Sequence, residues 1–416
     1  MSAVLERRDR FASHWHDDGQ VSWLVGAGIG LVRGVGRVTG ERRVAVTQPD
    51  GQVVTLTARH AVVLATGTSA LIPPIAGLQE AAPWTSREAV SADRLPSRLA
   101  IIGGGVVGAE MATAYSAFGT AVTLIVRDRL LPKFEPFAAD LVAAALEKDG
   151  VRLAVGAAPT RVERTADGTV RILLSNGETI EADELLVAAG RKPNTADLGL
   201  DAVGLAPGDW LSVDETLRVL GADGSPVGDG WLYAAGDVNG RALLTHQGKY
   251  QARAAGDVIV ARAHGEPVDD APWGRHVATA DRRAVPQVVF TDPEIVAVGH
   301  TLASATDAGL RVRAVEYDLG SVAGASLHAD GYVGRASLLI DEDTSTVVGF
   351  TAVGPDTAEL AHAATIAIVS EVPIERLWHA VPAYPTVSEV WLRLLETAGR
   401  PAYAPSSTTQ LVTSTH

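Results

Sequence analysis

Three glycines, Gly103, Gly105 and Gly108, stand in G-x-G-x-x-G spacing, the pattern that brings a peptide backbone against a pyrophosphate. Gly103 permits a tight turn, Gly105 leaves room for the phosphates, and Gly108 lets the following helix close on its strand, so that free N–H groups face the anion. The residues ending the next apolar run would lie beside the adenosine ribose, and they read Val126-Arg127-Asp128-Arg129. The acid that would accept a hydrogen bond from the 2′-OH of NAD is missing, and two guanidinium groups invite a 2′-phosphate, so NADPH is expected over NADH. The plain alternative for Arg127 and Arg129 is solvated loop charge. Asp237, in the pair Gly236-Asp237, is an acid at the carboxyl end of an apolar run, where it could accept hydrogen bonds from a polyol or cap a helix.

The glycines act only between a strand and a helix. Leu99 to Ile102 is an apolar run of strand length, and Val107, Ala109, Met111, Ala112, Tyr115 and Phe118 continue a helix that stops at Gly119. Ala121 to Val126 then reads as the second strand of a βαβ unit.

Length and composition bound the rest. A chain of 416 residues with 47% hydrophobic and 20% charged residues predicts a globular protein of two to three domains. A net charge of −14 argues against nucleic acid, which needs a basic face. No apolar run is long enough to span a membrane, and Met1 to Asp18 is charged, so a cytoplasmic location is expected. With no cysteine, the chain carries no disulfide, thiolate metal site or thiol nucleophile.

Along the chain, residues 1–18 read as an amphipathic helix that packs, and Gly26-Ala27-Gly28-Ile29-Gly30 as a loop. Apolar alternation predicts antiparallel strands over Leu31–Val38, Arg43–Gln48 and Val53–Ala58, and a buried strand over Ala61–Leu64 that ends at Ala65-Thr66-Gly67-Thr68. Pro73-Pro74 and Pro83 mark a linker. Pro136 starts a helix to Lys148, and a strand follows over Val151–Val155. Asp167-Gly168 and Asn176-Gly177 separate three hairpin strands, Arg161–Arg164, Val170–Ser175 and Thr179–Ala182, before the buried strand Glu184–Ala189. Leu232–Asp237 reads as another strand. Beyond Val285, strands over Gln287–Phe290, Arg311–Tyr317, Gly334–Ile340 and Val347–Val353 and a helix over Thr357–Val369 indicate an α+β domain.

Taken in order, Ala65 to Thr68, Ile101 to Glu110, Gly190 to Asn194, Leu232 to Asp237, Phe290 to Glu294 and Pro382 to Glu389 resemble the pyridine nucleotide-disulfide oxidoreductases, flavoenzymes that include dihydrolipoamide dehydrogenase and mercuric reductase. The resemblance implies that Asp237, next to Gly236, holds the ribityl chain of FAD, with Gly36, Thr66, Gly67 and Thr245 lining the flavin site. Gly103 to Glu110, Arg127 and Gly190 would take NAD(P)H. The chain departs from the family in three places. Nothing before Ala65 supplies the strand, glycine turn and helix that cradle the FAD pyrophosphate, a unit of roughly 30 residues. The redox-active cysteine pair is absent, as is the lysine that usually pairs with the glutamate matching Glu110. Tyr384 stands where many members carry the histidine of a His-Pro…Glu acid/base pair, five residues before Glu389. A phenol with a reference pKa of ~10 is a poor base near neutrality but a usable acid or hydrogen-bond donor.

The expected architecture is α/β, with tandem dinucleotide-binding (Rossmann-like) domains, the first incomplete, plus a C-terminal α+β interface domain. Residues 1–96 and 197–275 form the incomplete FAD domain, 97–196 the NAD(P) domain, 284–400 the dimerisation domain and 401–416 a tail. Trp378, Trp391, Leu394 and Leu395 are expected to form the apolar surface of a homodimer. The expected activity is hydride transfer between NAD(P)H and FAD, with a small-molecule electron acceptor and catalytic roles for Tyr384, Glu389 and Glu110. Two rivals stand beside it: a non-catalytic dimerising remnant that keeps the nicotinamide site but holds no flavin, and an unrelated NAD(P)-dependent dehydrogenase. Without the missing strand, Val62 to Leu64 would carry an open edge, and FAD would bind weakly or not at all.

Overall fold

The computed structural model describes residues 2–400. Strand Arg98–Ile102 lies inside a four-stranded parallel sheet, flanked by Glu184–Val187 on one side and Ala121–Val126 on the other, with Arg152–Val155 at the far edge. Its side chains alternate between two cores, as a pleated strand covered on both faces requires. Leu99 and Ile101 pack under the helices Val106–Ala117 and Pro136–Lys148, whereas Ala100 and Ile102 face the antiparallel meander of Pro159–Arg164, Val170–Leu174 and Thr179–Ala182. The predicted strand–turn–helix–strand unit is therefore present, and the helix from Pro136 to Lys148 has the bounds its proline and Asp149-Gly150 imply.

The flanking region is built around a smaller sheet. Val62–Leu64 pairs in parallel with Leu232–Ala234, and among the described residues this sheet has two strands. Helix Thr245–His264 packs Ala254, Ala255 and Val258 against them. An antiparallel meander of Val35–Gly40, Arg43–Thr47 and Val53–Thr57 stands beside this core. The C-terminal domain is a five-stranded antiparallel sheet in the order 286–289, 294–299, 346–354, 335–341, 312–318, with the helices Ala361–Val369 and Val390–Ala398 against it.

Several expectations need correction. The N-terminal residues do not pack: helices Ser2–Phe11 and Asp18–Gly26 bury no side chain, and Val38 is the first buried residue. In the first, the charged run Glu6 to Arg10 separates Val4 and Leu5 from Phe11; in the second, Trp23 and Val25 are left in solvent. Gly26 ends the second of these helices, so the glycine-rich loop begins at Ala27. The proline-marked stretch before Leu99 is no simple linker, since it buries Leu78 and Ala81 and holds a helix, Ser86–Ser91, started by a Thr85–Glu88 capping box. Trp378, Trp391, Leu394 and Leu395 do not form an exposed apolar surface. Leu394 and Leu395 are buried, Trp391 stacks on Phe350 with ring centroids 4.9 Å apart, and Trp378 packs on the same core. The apolar face of the last helix is satisfied within its own domain. Residues 401–416, expected to be a tail, lie outside the described residues.

Candidate functional site

At the end of strand Arg98–Ile102, Gly103 adopts φ +123°, and a Cβ there would meet the carbonyl oxygen of Ala188 at 2.3 Å. At Gly108 a Cβ would sit 1.9 Å from the carbonyl oxygen of Gly103. Gly105, between them, has nothing within 4 Å. Two of the glycines are thus demanded by the protein's own packing, and the third faces open space. The helix begins at Val106 without a side-chain cap, which leaves its first N–H groups to whatever occupies that space.

The space is a cleft of about 580 Å³ walled by Gly105, Val106, Val107 and Gly190 on one side and by the loop Gly240–Leu244 on the other. Val285 and Gln287 from the start of the C-terminal domain complete it. Neither Arg127 nor Arg129 is on its wall. Arg127 is 82% exposed and pairs with Asp128, while Arg129 donates to the carbonyl oxygens of Pro132 at 3.3 Å and Phe134 at 3.2 Å. Three cations are on the wall, Arg191, Arg241 and Lys133. Arg191 donates to Thr68, and Arg241 donates to the carbonyl oxygens of Val213 and Asp214. Lys133, carried there by the turn that Arg129 holds, makes no hydrogen bond among the described residues, and sequence reading misses it.

Glu110, on the second turn of the same helix, lies outside the cleft wall. Its Oε1 accepts the backbone N–H of Phe290 at 2.9 Å, and burial pushes its carboxyl above the usual range despite that bond. Here Glu110 ties the nucleotide-binding layer to the C-terminal domain.

Of the residues assigned to flavin, Thr66, Gly67, Gly236 and Asp237 fall into one cluster, and among the described residues Thr245 and Gly36 lie outside its hydrogen bonds. Asp237 follows strand Leu232–Ala234, and its Oδ2 accepts from Thr68 Oγ1 at 2.7 Å with Arg191 Nε 3.8 Å away. Asn194 donates its side-chain amide to the carbonyl oxygen of Thr66 at 2.9 Å and its backbone N–H to that of Gly67 at 3.0 Å. Gly67, at φ +67°, and Gly236, at φ +77°, occupy conformations that favour glycine. Thr245 is the exposed first residue of the uncapped helix Thr245–His264, next to cleft residues Leu243 and Leu244. Gly36 sits in the first meander opposite Val46, where a Cβ would meet Val44 at an ordinary 3.7 Å, and among the described residues no hydrogen bond links it to the cluster. Thr68, Arg191 and Asn194, which hold this cluster together, fall within the quoted motifs but carry no sequence signal that singles them out.

Tyr384 and Glu389 do not line the cleft of their own chain. Tyr384 is 76% exposed, whereas Glu389 is buried, with one oxygen 3.4 Å from Arg393 and the other without a hydrogen-bond partner. Among the described residues they share no hydrogen bond, and no three His, Asp or Glu side chains converge as a metal site.

Comparison with known proteins agrees with this architecture. Residues 5–264 match the pyridine nucleotide-disulphide oxidoreductase family, and residues 285–394 match the dimerisation domain of the same family. A mercuric reductase of Shigella flexneri is 32% identical over 78% of this chain, which spans 54% of that enzyme's length. A dihydrolipoyl dehydrogenase of Haloferax volcanii is 32% identical over 89% of the chain and 75% of the relative. Among solved structures, LpdA of Mycobacterium tuberculosis superposes with a TM-score of 0.79 at 27% identity, covering 95% of this chain and 82% of the other. The HOCl-induced flavoprotein disulfide reductase RclA of Escherichia coli superposes with a TM-score of 0.78 at 22% identity, covering 95% and 85%, and shares the fold. With both of its regions matched, the chain belongs to the pyridine nucleotide-disulphide oxidoreductase family.

Proposed function

We propose that this chain acts as a FAD- and NAD(P)H-dependent oxidoreductase in which hydride passes between nicotinamide and flavin and electrons leave to a small-molecule acceptor, with no intrachain dithiol. The observation that carries this reading is the open space at Gly105 above a cleft bounded by the Gly240–Leu244 loop. In it the glycine turn binds the dinucleotide phosphates, Gly190 admits the nicotinamide end, and Asp237 with the Thr66-Gly67 turn receives the ribityl chain. Bound flavin supplies the two-electron chemistry; the side chains described here bind, orient and exclude water. The C-terminal domain would pair two copies.

A second reading, a dimerising NAD(P)-binding protein that holds no flavin, is favoured by a specific observation. Asp237 accepts from Thr68 through one of its oxygens, and Asn194 donates to the Thr66 and Gly67 carbonyls, so the protein's own donors engage part of this half-site. Among the described residues, moreover, the one G-x-G-x-x-G turn is that of Gly103 to Gly108. The pyrophosphate of FAD needs such a turn and a helix N-terminus to offset its charge. The 416-residue chain expressed alone is therefore expected to bind FAD weakly, and joining an upstream βαβ unit from a relative should restore a full flavin complement.

The deciding measurement is the ratio of flavin to protein absorbance, made alongside NADPH titration. Tightly held stoichiometric flavin on the 416 residues removes the second reading. A colourless protein that binds NADPH supports it, and failure to bind either nucleotide removes both.

A further inference from the structure

Asp281 is a buried carboxylate in the short helix Ala280–Arg283, at the entry to the C-terminal domain, and nothing in the hydride-transfer reading uses it. Its two oxygens receive two amides from one helix: Gln247 Nε2 donates to Oδ1 at 3.0 Å and Gln251 Nε2 to Oδ2 at 2.9 Å. With its NH₂ committed to the carboxylate, Gln251 turns its Oε1 the other way. There Oε1 accepts the backbone N–H of Gly236 at 2.7 Å and Asn239 Nδ2 at 2.8 Å. Gly236 sits at φ +77° immediately before Asp237, and Gly248 of the same helix passes so close that a Cβ on it would lie 3.2 Å from the Gly236 Cα.

We propose that Asp281 is a positioning residue for the Gly236–Asp237 turn, acting through the orientation of the Gln251 side-chain amide. It rests on the reading of Asp237 as a flavin contact and adds what fixes that residue's backbone. The hydrogen bonds run in one direction, from acceptor carboxylate through amide to turn. An asparagine in place of Asp281 would offer one acceptor and one donor, so it could not receive both amides. A flipped Gln251 would set its NH₂ against two donors, the Gly236 N–H and the Asn239 amide.

The other groups near Asp281 are cations or have partners of their own. Arg241 brings Nη1 to 4.0 Å from Asp281 Oδ2, and that nitrogen is buried without a hydrogen-bond partner. Tyr250 binds the backbone of Val277 and Ala280, and Glu215 and Arg282 complete the nearby charges. Burial raises the Asp281 carboxyl to about 6 against the two amides and Arg241, so the carboxylate is retained at neutral pH at an energetic cost.

The test is amide hydrogen exchange of the peptide spanning Leu232 to Asn239 in the full chain without added flavin, with the Leu99–Val126 segment as the control for global folding. Asp281→Asn should speed exchange at Gly236 roughly tenfold, the equivalent of one lost hydrogen bond. The double variant Asp281→Asn with Gln251→Glu should restore protection, because the polarity is then met in reverse: a carboxylate on the helix accepts at once from Gly236, from Asn239 and from the amide introduced in place of Asp281. Unchanged exchange in Asp281→Asn overturns the proposal, as does a double variant no better than the single, or one that fails to fold. If Asp281→Asn alone fails to fold and the double variant folds, the coupling stands. Because no flavin is present, the outcome is independent of whether the flavin reading survives.

Discussion

Gly103 and Gly108 lack a side chain because the protein's own carbonyls crowd them, while Gly105 lacks one beside empty space, and only the last of these points to a ligand. The three roles are legible in sequence because they depend on a few consecutive residues and a fixed strand–helix geometry. Lys133 is not, since its place on the cleft wall depends on a turn closed by Arg129 through two backbone carbonyls. Arg191 and Arg241 on the wall are held by the protein's own acceptors, which leaves the exposed Arg127 and Lys133 as the candidate cations for the cofactor preference, and NADPH is expected to bind more tightly than NADH. A charge-assisted phosphate contact is worth about 1.5–3 kcal/mol, so Arg127→Ala or Lys133→Ala should each remove roughly tenfold of the preference. Arg129→Ala should act indirectly, by loosening the turn. Titration of both nucleotides against the wild type and the variants checks this, and equal wild-type affinities would return the arginines to solvated surface charge.

At the level of elements, strands and helices with a strong period are legible nearly to the residue, as with Ala121–Val126 and Pro136–Lys148. Helix Thr245–His264 escapes sequence reading because its buried face is alanine and glutamine rather than large aliphatic residues. The last helix, Val390–Ala398, shows its apolar face in sequence but not the direction of that face; periodicity reports that a face is buried and not what covers it. Glu110 shows the same limit for a functional residue, because its partner is 180 positions away. Burial raises its folded pKa above the unfolded value of 4.5, so its favourable contribution is complete below that value and is lost as pH rises through the folded pKa. Glu110→Gln retains an acceptor for Phe290 without the buried charge. Its stability relative to wild type should therefore increase as pH rises across that window, while Glu110→Ala, which removes the acceptor of the Phe290 N–H, should be less stable than Glu110→Gln by about 0.5–1.5 kcal/mol at any pH. Denaturant melts of the three proteins at acid and neutral pH measure this, and a stability difference between Glu110→Gln and wild type that does not change with pH would contradict it.

For the whole molecule, the match of residues 285–394 to a dimerisation domain moves attention from Trp391 and its neighbours to side chains that this domain leaves in solvent, among them Leu327, Val381 and Tyr384. Light scattering at micromolar concentration is expected to give a dimer, and Val381→Glu should weaken it with little change in melting temperature. Trp391→Ala should do the opposite, costing about 3 kcal/mol of stability through the cavity it leaves against Phe350. A monomeric wild type would remove the two-fold assembly from the proposed function.

The N-terminal helices Ser2–Phe11 and Asp18–Gly26 are tethered to the body through Arg8, which donates to the carbonyl oxygens of Val90 and Ala92 at 3.1 and 2.6 Å. Since no described side chain ahead of Val38 enters a core, these helices are held by backbone carbonyls rather than by packing. Cutting that tether with Arg8→Ala is expected to release both helices and to leave the buried cores and the nucleotide cleft as they are.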